Sequence, residues 1–169
     1  MTKKQKGFSL IELLIVVAII LIIAAIAIPN LLRARISANE SSAVGSVRTI
    51  TTVNTQYFST YGIGYAAALA NLASPAGVCP TPPSAAQACL IDPVLSAGAK
   101  SGYNFKTAGN SPVGVVLNGF ETSANPGTVG VSGTRSFCSD QSGVIRYDPN
   151  GAVMGTAANA CAAIPAVLQ

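Results

Sequence analysis

Lys3-Lys4-Gln5-Lys6-Gly7-Phe8-Ser9-Leu10-Ile11-Glu12 is the stretch that decides the fold. A basic leader ends at a glycine, and an apolar run begins at Phe8. Between residues 8 and 28 only Ser9 and Glu12 interrupt hydrophobic side chains. As a helix, that run spans about 31 Å, close to the ~30 Å hydrocarbon core of a bilayer. The lysines ahead of it predict a cytoplasmic N-terminus, with the remainder on the opposite side. A carboxylate inside such a segment is costly unless something meets it. Glu12 therefore asks for a partner, and a helix that acquires one by assembly supplies it.

Working outward, the composition fits a protein that associates. Half of the 169 residues are hydrophobic and 9% are charged, against roughly a quarter charged in ordinary soluble domains. The net charge of +4 is concentrated in the leader. Residues 8–169 carry seven basic and six acidic side chains, so +1, and residues 62–169 carry four of each. Overall charge gives no support for a nucleic-acid partner. There is no histidine, which removes the commonest metal ligand and general base.

Beyond the apolar run, Pro29 removes one helix hydrogen bond and favours a kink. Leu32, Ile36, Ala43, Val47, Ile50, Tyr57 and Tyr61 then recur with a helical period, predicting an amphipathic helix to residue 61. Arg33, Asn39, Glu40, Ser41, Ser46, Thr49 and Gln56 are assigned to its polar side, and Gly45 is a weak point. Arg33 and Arg35 read as headgroup-facing or solvated charges. Tyr57, Phe58, Tyr61 and Tyr65 cluster at the helix end, and core packing under a sheet is the favoured reading over a conducting aromatic stripe.

Composition changes after residue 61. Fourteen of sixteen glycines and nine of ten prolines lie in residues 62–169, the mark of loops and short strands. Residues 62–100 read as a long connection, with a helical turn at 66–72. Strands are expected at 102–106, 113–121, 134–140 and 144–147, with a hairpin turn at Asp140-Gln141-Ser142-Gly143. The fold class expected is α+β: a long N-terminal helix packed on a small antiparallel β-sheet head.

The four cysteines lack the tight pairs of a zinc site. Behind an exported N-terminus they read as two disulfides, for which three pairings exist. Local closure favours Cys79–Cys89 and Cys138–Cys161. Glu121, Asp140 and Asp148 offer the carboxylates of a calcium site, and caps of turns and strand ends explain them better. No metal, cofactor or catalytic constellation is expected, so an enzyme is disfavoured.

Two plain readings of the N-terminus compete. A secretory signal would use Ala25-Ile26-Ala27 as its cleavage site, but Pro29 follows closely and an apolar signal core gains nothing from Glu12. A single-span anchor explains the length and leaves Gly7-Phe8 and Glu12 unexplained. Gly7-Phe8-Ser9-Leu10-Ile11-Glu12 followed by an apolar helix resembles the class III signal of type IV pilins and type II secretion pseudopilins. The resemblance covers about residues 3–30. It implies that a membrane-embedded prepilin peptidase cuts between Gly7 and Phe8 and N-methylates Phe8. It also implies that Glu12 is the assembly glutamate and Pro29 the helix-interrupting proline. Residues 134–146 more weakly resemble the final hairpin of such heads.

The organisation expected is a cleaved leader (1–7), a helix (8–61, with 8–28 membrane-spanning and 29–61 amphipathic) and a disulfide-braced head (62–169). The function implied is a structural pilin that waits in the inner membrane and polymerises into an extracellular type IV pilus. The partners implied are other copies of itself, the prepilin peptidase, an inner-membrane platform protein, an assembly ATPase and an outer-membrane secretin. The alternatives are a type II secretion pseudopilin, a minor or tip pilin, and a membrane-anchored binding module that never polymerises.

Overall fold

The computed structural model describes residues 9–73 and 78–168. The chain divides into two compact units between Arg35 and Ile36. A single helix, α1 (Leu10–Tyr61), contributes to both. Its helical assignment continues through Pro29. The missing N–H of a proline costs one hydrogen bond, and here that loss leaves the run intact rather than ending it.

In the second unit, α1 is followed by two short helices, α2 (Leu69–Leu72) and α3 (Pro93–Ser96), and by five strands. These are β1 (Ala99–Lys100), β2 (Tyr103–Val113), β3 (Val116–Pro126), β4 (Ser136–Asp140) and β5 (Arg146–Asp148). They form one antiparallel sheet in sequence order. The fold is α+β, with a long N-terminal helix and a five-stranded antiparallel sheet.

The helix from residue 36 onward is held by packing more than by propensity. Residues 46–55 are rich in valine, isoleucine and threonine, which are mediocre helix formers. The hydroxyls of Thr49, Thr51, Thr52 and Thr55 turn back onto carbonyls one turn earlier, at 2.9–3.2 Å. Ala43, Val47, Ile50, Val53 and Tyr57 form a buried stripe, and burial of such a stripe is what usually makes a helix stable in a protein. They share one core with Tyr103 and Phe105 of β2, Ala124 of β3 and Phe137 of β4.

β2 and β3 run longer than the sequence suggests. Gly109, Asn110, Ser111 and Pro112 read as loop, yet they continue β2 to a two-residue turn at Gly114-Val115. Gly114 has φ +64°, the first-position glycine that a type II′ hairpin uses. The Asp140 hairpin forms with Gly143 at φ +76°. Arg146 bridges to Val167, the Tyr147 N–H donates to Ala166 O at 3.0 Å, and the Leu168 N–H donates to Ile145 O at 2.9 Å. The outer edge of β5 is therefore occupied.

Alternation places β3 and β4 residues on opposite faces. One face carries Ala124 and Phe137 toward α1. The other carries Glu121, Ser123 and Asn125 opposite Asp140, Cys138 and the neighbouring Ser136. This second face is polar and nevertheless buried. Residues 149–164, which contain no helix or strand, cover it. Cys138 and Cys161 are joined there, with Cα atoms 5.7 Å apart.

The expected Cys79–Cys89 bridge is not formed. Cys79 is an exposed thiol and Cys89 is half-buried. The long connection is braced by its main chain instead. The N–H groups of Ala88, Leu90 and Ile91 donate to carbonyls of Asn71 and Leu72 at 2.8–3.2 Å. The Tyr57 hydroxyl donates to Ala85 O at 2.7 Å.

Candidate assembly segment and the clamp in the head

In the first unit, nearly every large apolar side chain from Leu10 to Leu32 is exposed, Ile11 at 69% and Ile28 at 64%. The most apolar window of α1 has a mean hydropathy of 3.3 and none of it is buried. By length and composition this helix can cross a membrane. An apolar surface of this extent needs lipid or protein around it. Glu12 lies exposed in the first turn of α1, where the helix dipole favours a negative charge. Gly7 and Phe8 lie outside the described residues. Pro29 is exposed within the helix.

In the second unit, Glu40 is the group that sequence reasoning missed. Its acidity places it on the polar side of α1, yet it is only 6% exposed. Its spacing explains why: Glu40, Ala43 and Val47 follow i, i+3, i+7, so Glu40 sits on the buried stripe itself. One carboxylate oxygen, Oε1, accepts from Thr134 N (2.8 Å), Thr134 Oγ1 (2.7 Å) and Arg135 N (3.1 Å). The other, Oε2, accepts from Arg135 Nε at 2.8 Å and pairs with Nη2 at 2.7 Å. Burial alone would raise this carboxyl, but the bonds from Thr134 and Arg135 outweigh it and hold the group below its ordinary value. The Arg135 guanidinium also lies over Phe137 and Tyr147, 5.5 and 5.6 Å from their ring centroids. The Tyr103 hydroxyl donates to Arg135 O at 2.8 Å, and Asn39 Nδ2 donates to Ser132 O at 2.9 Å. Gly133 is required beside this clamp, since a Cβ there would collide with the Tyr103 ring and hydroxyl.

Glu121, on the other face of the sheet, is 2% exposed and accepts from Cys161 N at 3.1 Å. Burial pushes its carboxyl above the ordinary value. The Cys161 N–H opposes that shift, Asp140 adds to it, and the Asn159 N–H opposes it. Asp140 accepts from the N–H and hydroxyl of Ser142, and Asp148 from the N–H groups of Asn150 and Ala152. In each, Oδ1 accepts these bonds within a turn. The aromatic residues divide: Tyr57 is buried in the core, while Phe58 stacks on Tyr65 with centroids 4.9 Å apart.

An exposed apolar N-terminal helix and an antiparallel β-sheet are the two parts of a pilin-like chain. Residues 2–28 match the prokaryotic N-terminal methylation motif. The chain is 64% identical over 39 residues to the type IV wide pilus major component PilA4 of Thermus thermophilus, covering 23% of this chain and 30% of the relative. It is 45% identical over 56 residues to the type IV major pilin protein PilA of Myxococcus xanthus, covering 33% of this chain and 26% of the relative. The matches span less than a third of these curated relatives. No solved structure matches. The motif and the two pilin relatives support the type IV pilin family for this chain.

Proposed function

We propose that this chain is a structural subunit of a type IV pilus. Residues 1–7 are a leader removed by prepilin peptidase between Gly7 and Phe8, and the new Phe8 amine is methylated. Residues 8–28 hold the subunit in the inner membrane, and then form the filament core with other copies. Residues 29–61 join that segment to the head formed by residues 62–169. An assembly ATPase, a platform protein and a secretin supply the energy and the exit. The chain itself performs no catalysis.

The observation that carries this reading is the exposed apolar segment of α1 with Glu12 in its first turn. Cleavage at Gly7 creates a positive amine beside that segment. In a bundle of such helices, a neighbour's amine neutralises the Glu12 carboxylate, and a buried charge is tolerable when paired. Glu12 then sets the stagger between copies.

Mass spectrometry of filaments sheared from cells tests the reading. The expected mature chain starts at N-methylated Phe8. A chain starting at Met1, or near residue 28, would overturn it. Glu12→Ala is expected to leave the subunit in the membrane and stop filament growth, and normal filaments from that variant would remove Glu12 from its role. The names of the relatives favour a pilus over a secretion pseudopilus. Loss of protein secretion without loss of surface filaments, on deleting the chain, would reverse that preference.

A further inference from the structure

We propose that Arg33 and Arg35 form a cationic collar that binds the phosphates of anionic lipids on the non-cytoplasmic face of the membrane. The inference rests on the membrane-spanning reading of α1 and names the lipid class that this segment selects.

The first unit ends in these two arginines. Both are exposed, and Arg33 directly follows the exposed pair Leu31 and Leu32. With residues 8–28 as the span, Arg33 and Arg35 stand about 7 and 10 Å beyond its end. The headgroup layer occupies about 5–7 Å on each side of the hydrocarbon. Side chains on a helix lean toward its N-terminus, here back toward the lipid. The long apolar stem of arginine allows its head to sit at the polar surface. Both guanidinium groups therefore reach the depth of the phosphates.

The protein supplies no competing anion. Among the described residues neither arginine forms an ion pair. No residue three or four positions from either one is acidic. Glu40, the next acid along the chain, is held by Thr134 and Arg135. Glu12, the preceding acid, lies 21 positions before Arg33, about 32 Å along the axis. Basic residues flanking a span are usually concentrated on the cytoplasmic side, so two of them on the far side call for a use.

Their placement around the helix identifies the occupant. Two positions turn a helix by about 200°, so the arginines face opposite sides. A single docked protein surface meets one of them, whereas a lipid layer surrounds the helix and meets both. The guanidinium is a planar fork of donors that fits two phosphate oxygens. A zwitterionic headgroup already carries a cation beside its phosphate. An anionic headgroup such as phosphatidylglycerol carries none and pairs with the arginine without competition.

The full chain in vesicles of phosphatidylcholine and phosphatidylglycerol, probed with spin-labelled forms of each lipid, tests the collar. The wild type is expected to hold phosphatidylglycerol in its lipid shell more strongly than phosphatidylcholine. That preference is expected to fall about fivefold with each arginine removed, in Arg33→Gln and then in Arg33→Gln/Arg35→Gln. The leader lysines are common to every chain compared. Arg33→Lys/Arg35→Lys is expected to keep most of the preference, because the charge stays. An unchanged preference in the double glutamine variant overturns the proposal. Displacement of the labelled lipid by soluble glycerol phosphate overturns it too, because the site then takes a free phosphate. Chemical crosslinking into oligomers in pure phosphatidylcholine, lost in the double glutamine variant, also overturns it and makes a second copy the partner. Protease digestion of the same vesicles separates the collar from the reading beneath it. A protected fragment containing residues 10–32 without a lipid preference overturns the collar alone. Absence of that fragment overturns the spanning reading and the collar together.

Discussion

The two faces of the head's sheet solve the problem of burial in opposite ways. Toward α1, the sheet offers Tyr103, Phe105, Ala124 and Phe137, and one carboxylate, Glu40, enters from the helix with its donors already waiting. Toward the cover, the sheet offers Glu121, Ser123, Asn125, Ser136 and Cys138, and a covalent bond closes the layer. Both faces contain a buried carboxyl, and their environments push them in opposite directions: Glu40 below its ordinary value, Glu121 above it. A buried acid is set by its donors rather than by its depth. Glu40 meets a guanidinium and three further donors. Glu121 meets main-chain N–H groups and another acid.

The comparison breaks most visibly at Phe137. Phe137→Ala removes a fully buried ring at the α1 face and is expected to cost about 3–5 kcal/mol. Urea denaturation of the detergent-solubilised chain would show it, and a loss under 1 kcal/mol would mean that this face is not the principal core.

Glu40→Gln comes next, expected to cost about 1–3 kcal/mol at neutral pH, since the charged acceptor is lost while its donors stay. The pH dependence has a definite sign. The Glu40 carboxyl in the fold titrates below its ordinary value of 4.5. Its contribution is therefore present above 4.5 and is lost as pH falls through the lower folded value. Melting curves of wild type and Glu40→Gln should converge in acid, and a gap that widens in acid would contradict the clamp.

Glu121→Gln has the smallest expected effect, within about 1 kcal/mol and stabilising at neutral pH. The Gln carbonyl still accepts from Cys161 N. Here the folded value lies above 4.5, so the contribution of the acid is present below 4.5 and is lost as pH rises through the raised value. The advantage of Gln over the wild type should grow with pH over that interval. Constant difference across pH would place the Glu121 charge outside the energetics of the cover.

Much of the α1 face was legible in the sequence, because Ala43, Val47, Ile50 and Tyr57 keep a period that a helix must bury. Glu40 escaped notice because acidity outweighed position: it shares the spacing of the stripe, and an acid at a stripe position was itself the signal. Asn54, fully buried four residues after Ile50, repeats the lesson. The second half of β2 was unreadable, because Gly109, Asn110 and Pro112 carry turn chemistry and are paired with β3 only by tertiary structure. The cover has no periodicity at all, and Cys161 was its one marker in the sequence. The Cys79 loop went the other way: cysteine spacing suggested a bridge where main-chain hydrogen bonds do the bracing.

The strand-like end of the chain has a consequence for crowding. With Ala166, Val167 and Leu168 lying along β5, that margin offers few vacant main-chain donors to a neighbouring molecule. The opposite margin is met by β1, by Gly98 O and by Ala67 O, and ends near Pro112, which has no N–H to give. Unsealed margins are where sheets recruit foreign strands and begin to aggregate. A sheet whose two margins are met in this way gives a neighbouring strand little main chain to pair with.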